Sequence, residues 1–277
     1  MGAQFALAGL LPVDYDEAGA THDQHLLRLS DPSDGVLDAI HDWRAAAGAD
    51  LVSLIVDDSD GGTTAGTGYI LPPAPLPFYP GTGPFNTVDY GALGNLELPH
   101  QLGHNMGCAH EFENASSGLP DVGLPQLPYP ALPNAFGWRW TGNSSTDYRS
   151  IMAIGTGQRV ARFSNPQVDF DGVPTGKLPA GLLDPGADNA GALNALLPTI
   201  TGFVTPPAPL TDVYVDLDVV AVTEDGSPGA PYDSLEEGLL RVASGGRLIV
   251  RGTTTGTPPL VEPVLIERWT APALLLD

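Results

Sequence analysis

The sequence has little positive charge and almost no cysteine. It contains 11 basic residues against 33 acidic ones, which gives a net charge of −22, and Lys177 is its single lysine. Such a surface repels phosphate backbones and anionic lipid headgroups, which argues against nucleic-acid and membrane partners. Because Cys108 is the one cysteine, no disulfide can form within the chain.

Long apolar runs are missing as well. No stretch approaches the roughly 18–20 apolar residues that a membrane-spanning helix needs, so membrane insertion is not expected. The apolar N-terminal segment 1–13 lacks the basic n-region of a secretory signal peptide and does not resemble one. With 34 glycines and 28 prolines the chain is predicted to have long loops and few helices, while a hydrophobic fraction of 42% suffices for a folded core.

Strand and helix patterns alternate in the first hundred residues. An apolar run predicts a strand over 5–16, and apolar residues at helical spacing predict a helix within 30–50. Two more strands are predicted over 51–58 and 66–72, before a Pro/Gly-rich connection over 71–94. This order indicates an α/β (α+β) domain with a sheet layer.

The stretch LPHQLGHNMGCAH, residues 98–110, has the spacing of a metal site. His100 and His104 are four residues apart, so on a helix both rings project from one face. Gly107 can adopt the left-handed conformation that ends a helix, and the turn would bring His110 round as a third ligand. Three imidazoles leave a fourth tetrahedral position for water, which is the arrangement of a catalytic rather than a structural zinc.

This stretch resembles the zinc signature of the metzincin metallopeptidases, His-Glu-x-x-His-x-x-Gly-x-x-His. Its local sequence is most similar to that of the reprolysin (adamalysin)-like branch. The family also has a methionine in a tight turn beneath the metal, and YRSIMAIGTG supplies Met152. The resemblance implies a metzincin-like zincin domain over 1–204, with a mixed sheet and an active-site helix. Because the family has a further strand and helix before residue 5, the domain is expected to be N-terminally incomplete.

The resemblance implies a secreted zinc metalloendopeptidase acting on protein or peptide substrates, with one catalytic-type Zn²⁺ held by His100, His104 and His110. However, Gln101 stands at the position of the glutamate that moves protons in the family. An amide has no useful basicity, and losing a general acid/base costs about 10²–10⁴ in rate. Glu111 is a conceivable substitute base, although a solvated acid is the simpler interpretation. Ile154 stands where some metzincins have a metal-binding tyrosine.

Other residues have simpler interpretations. Cys108 is predicted to be a small buried side chain, and His22, His25 and His41 are predicted to lie at the surface because their spacing is not that of ligands. Trp138 and Trp140 alternate like strand residues and are predicted to line a substrate cleft or to pack in the core.

The last part of the chain is predicted to be a separate accessory module. A Pro-rich linker over 205–212 precedes it, and Ser234 with Glu237 forms a capping box that predicts a helix between strands. Residues 213–277 resemble the start of a secreted right-handed parallel β-helix domain, and a small α/β appendage is the alternative.

Three functions are therefore compatible with the sequence. The first is a zinc endopeptidase whose activity is impaired by Gln101, and the second is a zinc-binding pseudoprotease that holds peptides or partners. The third is an adhesion or carbohydrate-interaction protein that acts through its β-helix tail. The sequence does not predict the oligomeric state.

Overall fold

The computed structural model describes residues 5, 7–10, 12–57, 65–74, 78, 82–113, 130–181, 184–205, 208–218 and 224–252. The helices in these ranges are α1 (His22–Ser30), α2 (Ala39–Ala47), α3 (Glu97–Asn105), α4 (Asn189–Ile200) and α5 (Leu235–Arg241), with a 3₁₀ helix at Tyr90–Asn95. The strands are β1 (Val52–Val56), β2 (Gly66–Gly68), β3 (Phe85–Asp89), β4 (Ala109–Glu111), β5 (Phe136–Gly137), β6 (Arg139–Thr141), β7 (Asp147–Arg149), β8 (Gln158–Arg159), β9 (Asp169–Phe170), β10 (Val173–Pro174), β11 (Leu210–Asp216) and β12 (Val242–Arg251).

The chain forms two compact units. The first consists mainly of Tyr15–Asp38 and Asp50–Phe203, and the second consists of Gln4–Asp14, Ala39–Ala49 and Val204–Asp277. The division into domains at 205–212 stays a prediction.

A mixed three-stranded sheet lies in the first unit. Its order is β1-β3-β2, with β1 and β3 parallel and β2 antiparallel to β3. The central strand β3 falls inside the segment 71–94 that was predicted to be a connection, so that part of the prediction is wrong. Four of the five β3 side chains are buried, which shows that packing outweighs the neighbouring prolines and glycines.

The N-terminal predictions are only partly correct. Among the described residues of 5–16 there is no strand, and Leu7 and Leu10 are 81% and 78% exposed. The helix predicted within 30–50 is present but short, as α2. Helix α1 was not predicted. It begins with a capping box in which the Thr21 side chain accepts from the Gln24 N–H and the Gln24 side chain accepts from the Thr21 N–H.

One apolar core cluster of the first unit packs against Leu102 of α3. It joins the segment after α3, the turn around residue 152 and helix α4 through six buried side chains: Met106, Cys108, Ile151, Met152, Leu193 and Ile200. Small strand pairs complete the unit, with β4 parallel to β5, β7 between β6 and β8, and β9 beside β10.

In the second unit, α5 connects two parallel strands, β11 and β12. Ser234 caps α5 by accepting from the Glu237 N–H, and Val213, Val215 and Leu248 are buried in the core of this unit. The apolar run at 264–269, which predicts a further strand, lies outside the described residues. Within the described part of the chain, no helix is long and apolar enough to cross a membrane.

Candidate metal centre

Helix α3 presents two of the candidate ligands. It begins after Leu96, whose φ of +62° is left-handed, and Pro99 lies in its first turn, where a backbone N–H has no helical acceptor. His100 and His104 follow on one face, and both are buried. At the end of the helix, the Asn105 amide nitrogen donates to the carbonyls of Tyr69 and Phe85 at 2.8 and 2.9 Å, which fixes α3 against the sheet.

A turn at Gly107 brings the third histidine to the other two. Gly107 has a φ of +90°, and a side chain there would collide with the Ala131 methyl group, so both conformation and space require glycine. The Cys108 N–H donates to the Gly103 carbonyl at 2.9 Å, which turns the chain back into β4. His110 lies on this strand and is half-buried.

The three imidazoles converge through their Nε2 atoms. His110 Nε2 lies 3.2 Å from His100 Nε2 and 3.1 Å from His104 Nε2. The outward Nδ1 atoms of His100 and His104 are bonded to the carbonyls of Ile151 and Cys108 at 2.8 and 2.9 Å. Because carbonyls only accept, these bonds place the ring protons on Nδ1 and leave Nε2 lone pairs facing one another.

This arrangement fits a tetrahedral metal ion. Zinc–nitrogen distances of about 2.0–2.1 Å place two tetrahedral ligand nitrogens about 3.3 Å apart, close to the observed separations. A single proton on His110 Nε2 could satisfy only one of the two facing lone pairs, whereas a cation would satisfy all three nitrogens. The three histidines therefore form a group able to hold a metal ion.

The electrostatics of the site favour neutral, metal-binding imidazoles. Burial, assisted by nearby His110, lowers the pKa of His100 to about 3. Burial and the neighbouring His100 and His110 hold the pKa of His104 well below its usual value, and burial lowers the pKa of His110. A neutral ring keeps its lone pair free for a metal at physiological pH.

Gln101 is buried beside the histidines and is held by a residue that the sequence analysis missed. Its Nε2 donates to Glu97 Oε1 at 2.8 Å, and the other Glu97 oxygen pairs with Arg159 at 3.0 Å. The Gln101 Oε1 atom is buried and has no hydrogen-bond partner in the described part of the chain. The four-residue spacing from Glu97 to Gln101 is the signal in the sequence that could have revealed this contact.

Met152 is fully buried below α3. Its sulfur lies against Gly103, where any side chain would collide with it. Gly103 lies between His100 and His104 in the sequence, so the methionine supports the helix segment that carries both rings. The adjacent residue, Ile151, supplies the carbonyl that orients His100.

Glu111 is not the solvated acid that was expected. It is 1% exposed, its Oε2 accepts from the Ile154 N–H at 2.9 Å, and its Oε1 pairs with Arg139 Nε at 3.2 Å. Glu111 therefore ties the strand of His110 to the turn that follows Met152. The sequence places these residues too far apart for this role to be visible in it.

The remaining candidates have different surroundings. Cys108 is fully buried, and burial raises the pKa of its thiol. Trp140 is buried in the core, whereas Trp138 is half-buried and lines a cavity of about 230 Å³ together with Lys177.

The prediction that His22 and His25 lie at the surface is wrong, since they are 1% and 0% exposed. They bond to Thr87 and Tyr15, and His41 is half-buried.

Two curated proteins are similar to this chain over 208 residues. Both are named "Peptidyl-Asp metalloendopeptidase", from Stenotrophomonas maltophilia strains K279a and R551-3, at 27% and 28% identity. They support assignment to a metallopeptidase family. The match covers 73% of this chain and 43% of each relative, so the chain spans less than half the length of the curated relatives it matches.

The other comparisons add little to this. No family model matches the chain. A solved structure described as "Structure of a chaperone-substrate complex" aligns with 69% of this chain and 26% of its own at 16% identity. Its TM-score of 0.44 is below the level at which a common fold is assigned.

Proposed function

We propose that this chain carries a zinc-dependent metalloendopeptidase site of metzincin type, in its reprolysin-like branch. His100, His104 and His110 bind one zinc ion through Nε2, and Met152 forms the floor of the site. The observation that carries the proposal is the convergence of three Nε2 atoms, in which that of His110 lies within 3.2 Å of each of the other two. The Nδ1 atoms of His100 and His104 are bonded to backbone carbonyls. Gly107 provides the turn that completes the ligand set.

When bound, zinc supplies a Lewis acid that polarises a peptide carbonyl and lowers the pKa of a coordinated water. The chain must move the proton of that water, and Gln101 occupies the position from which a glutamate does so in the family. Its amide can orient a water through Oε1, which has no other partner among the described residues. It cannot accept a proton, so we propose that hydrolysis by this chain is impaired.

The substrates proposed are proteins and peptides that contain aspartyl residues. This preference is carried over from the names of the two relatives, which both refer to peptidyl-Asp cleavage. An extracellular location is part of the same proposal. We further propose that the zinc domain spans 1–204, that 205–212 is a linker, and that 213–277 forms an accessory module of β-helix or small α/β type.

A second candidate function is a zinc-binding pseudoprotease that holds peptides without cutting them. One observation favours it: the Gln101 amide donates to Glu97, so the side chain is fixed by a structural contact within the helix. Zinc binding is unaffected by this contact, because Gln101 is not one of the proposed ligands.

The experiment compares the chain with its Gln101→Glu variant, after loading with zinc. Bound zinc is measured, and cleavage of an unstructured protein substrate is followed with and without a chelator. We expect about one zinc per chain in both proteins and cleavage about 10²–10⁴-fold faster in the variant. Equal zinc with peptide binding and no cleavage in either protein would favour the pseudoprotease, and no zinc in either would exclude both functions.

A further inference from the structure

Two arginines lie side by side next to the metal centre. In the parallel pairing of β7 with β8, Arg149 is directly opposite Arg159. Like charges in adjacent strand positions repel each other. Two arginines in such a pairing are unusual in a chain that has 11 basic residues against 33 acidic ones.

Within the described part of the chain, one of the two arginines has a carboxylate partner in an ion pair. Arg159 pairs with Glu97 at 3.0 Å. Arg149 instead donates through Nε to the Gly157 carbonyl at 3.0 Å and through Nη1 to the Ala153 carbonyl at 2.7 Å. Among the described residues no ion pair joins a carboxylate to Arg149, whose side chain is half-buried.

Arg149 is held against the turn that supports the histidines. It comes two residues before Ile151, whose carbonyl orients His100, and it bonds to the carbonyl of Ala153, next to Met152. Arg159 contacts Glu97, the hydrogen-bond partner of Gln101 on helix α3, so both arginines lie beside residues of the site.

The two buried carboxylates near the histidines are paired with other arginines. Glu97 pairs with Arg159, and Glu111 pairs with Arg139. Arg149 therefore has no carboxylate of its own in an ion pair among the described residues. A guanidinium held by two carbonyls through Nε and Nη1, with Nη2 outside both bonds, is suited to binding a carboxylate by charge-assisted hydrogen bonds.

We propose that Arg149 is the specificity-determining residue of this site and that it binds the side-chain carboxylate of an aspartyl residue beside the scissile bond. The inference rests on the proposed peptidase function and deepens it, because it assigns the preference for aspartate to one side chain. Arg159 stays paired with Glu97 and reinforces the positive potential without contacting the substrate.

The test is a binding measurement with two peptides that differ only by Asp or Asn at one position. Fluorescence anisotropy is recorded on the zinc-loaded and metal-free chain and on Arg149→Gln, Arg149→Lys and Arg162→Gln. Arg162 is the matched control, because its side chain is exposed and the substitution removes the same charge. Circular dichroism and bound zinc report whether each variant folds, and Arg149→Lys keeps the charge if Arg149→Gln does not fold.

We expect the parent chain to bind the Asp peptide about 10- to 100-fold more tightly than the Asn peptide. This ratio falls to about one in Arg149→Gln, is intermediate in Arg149→Lys, and is unchanged in Arg162→Gln. Zinc-dependent peptide binding with an Asp/Asn ratio of one in the parent would overturn the assignment to Arg149. An equal loss of this ratio in Arg162→Gln and Arg149→Gln would overturn it as well. Absence of both zinc and peptide binding would instead overturn the proposed function itself.

Discussion

The side-chain amide of Gln101 donates to the carboxylate of Glu97, one turn earlier in helix α3, across 2.8 Å. Both side chains are buried, at 3% and 7% exposure. A glutamate at position 101 would place two carboxylates in contact at this point, whereas the amide supplies a donor. Glutamine is therefore matched to its local surroundings, independently of any catalytic role.

Gln101→Glu should accordingly destabilise the metal-free protein. We expect the free energy of unfolding to fall by about 1–3 kcal/mol, because a buried hydrogen bond is replaced by like-charge repulsion. Urea unfolding without metal measures this, with Gln167→Glu as a control that adds the same charge at an exposed position. Equal stability of Gln101→Glu and the parent would show that the contact with Glu97 contributes nothing.

The contact of Glu111 with the turn after Met152 should stabilise the site. Glu111→Gln removes the ion pair with Arg139 and weakens the bond to the Ile154 N–H, so we expect a loss of about 1–3 kcal/mol in unfolding free energy. The value lies below that of a fully buried pair because Arg139 is 39% exposed. Glu113→Gln, at the exposed residue two positions later, should change stability little in the same urea titration.

The close approach of Met152 to Gly103 should make the helix sensitive to a single methyl group. Gly103→Ala would push the alanine methyl into the Met152 sulfur, and overpacking of this kind costs about 1–3 kcal/mol. Gly94→Ala is the control, since no atom lies within 4 Å of the added methyl. Thermal unfolding of both variants checks the prediction, which fails if Gly103→Ala is as stable as Gly94→Ala.

Buried His25 should make folding sensitive to acid. Burial and the nearby His22 and Arg28 lower the pKa of His25. The His25 ring takes up a proton near pH 6.5 in the unfolded chain but not in the folded chain. The unfolding free energy is therefore highest above that pH and decreases as the pH drops below it. Urea unfolding between pH 7.5 and 5 should show a smaller pH slope in His25→Gln than in the parent or in His41→Gln. Identical slopes in all three would contradict the prediction.

The sequence was sufficient to predict the candidate site where the information is local. His100 and His104 share a helical face, and Gly107 lies where the chain turns, so a short segment specifies their geometry. Contacts that join distant segments were not predictable in this way. Arg149 and Arg159 face each other only because β7 and β8 pair, and Glu111 meets Ile154 only through the fold.

The fold was predicted less well than the site, for identifiable reasons. Strand β3 lies among prolines and glycines that normally mark loops, but it is covered on both sides and packing decides its conformation. The apolar N-terminal run looked like a strand, whereas Leu7 and Leu10 are exposed. The buried face of helix α1 combines His22 and His25 with Leu26 and Leu29, so it is only partly apolar and hydrophobic periodicity does not reveal it.

The most direct test of the account is the metal content of the chain. After zinc loading and removal of free metal, inductively coupled plasma mass spectrometry is applied to the parent, to His104→Gln and to the control His41→Gln. The account predicts about one zinc per chain in the parent and in the control, and a near-complete loss in His104→Gln. A parent without bound zinc, or a His104→Gln variant that retains it, would contradict the assignment of His100, His104 and His110 as a metal centre.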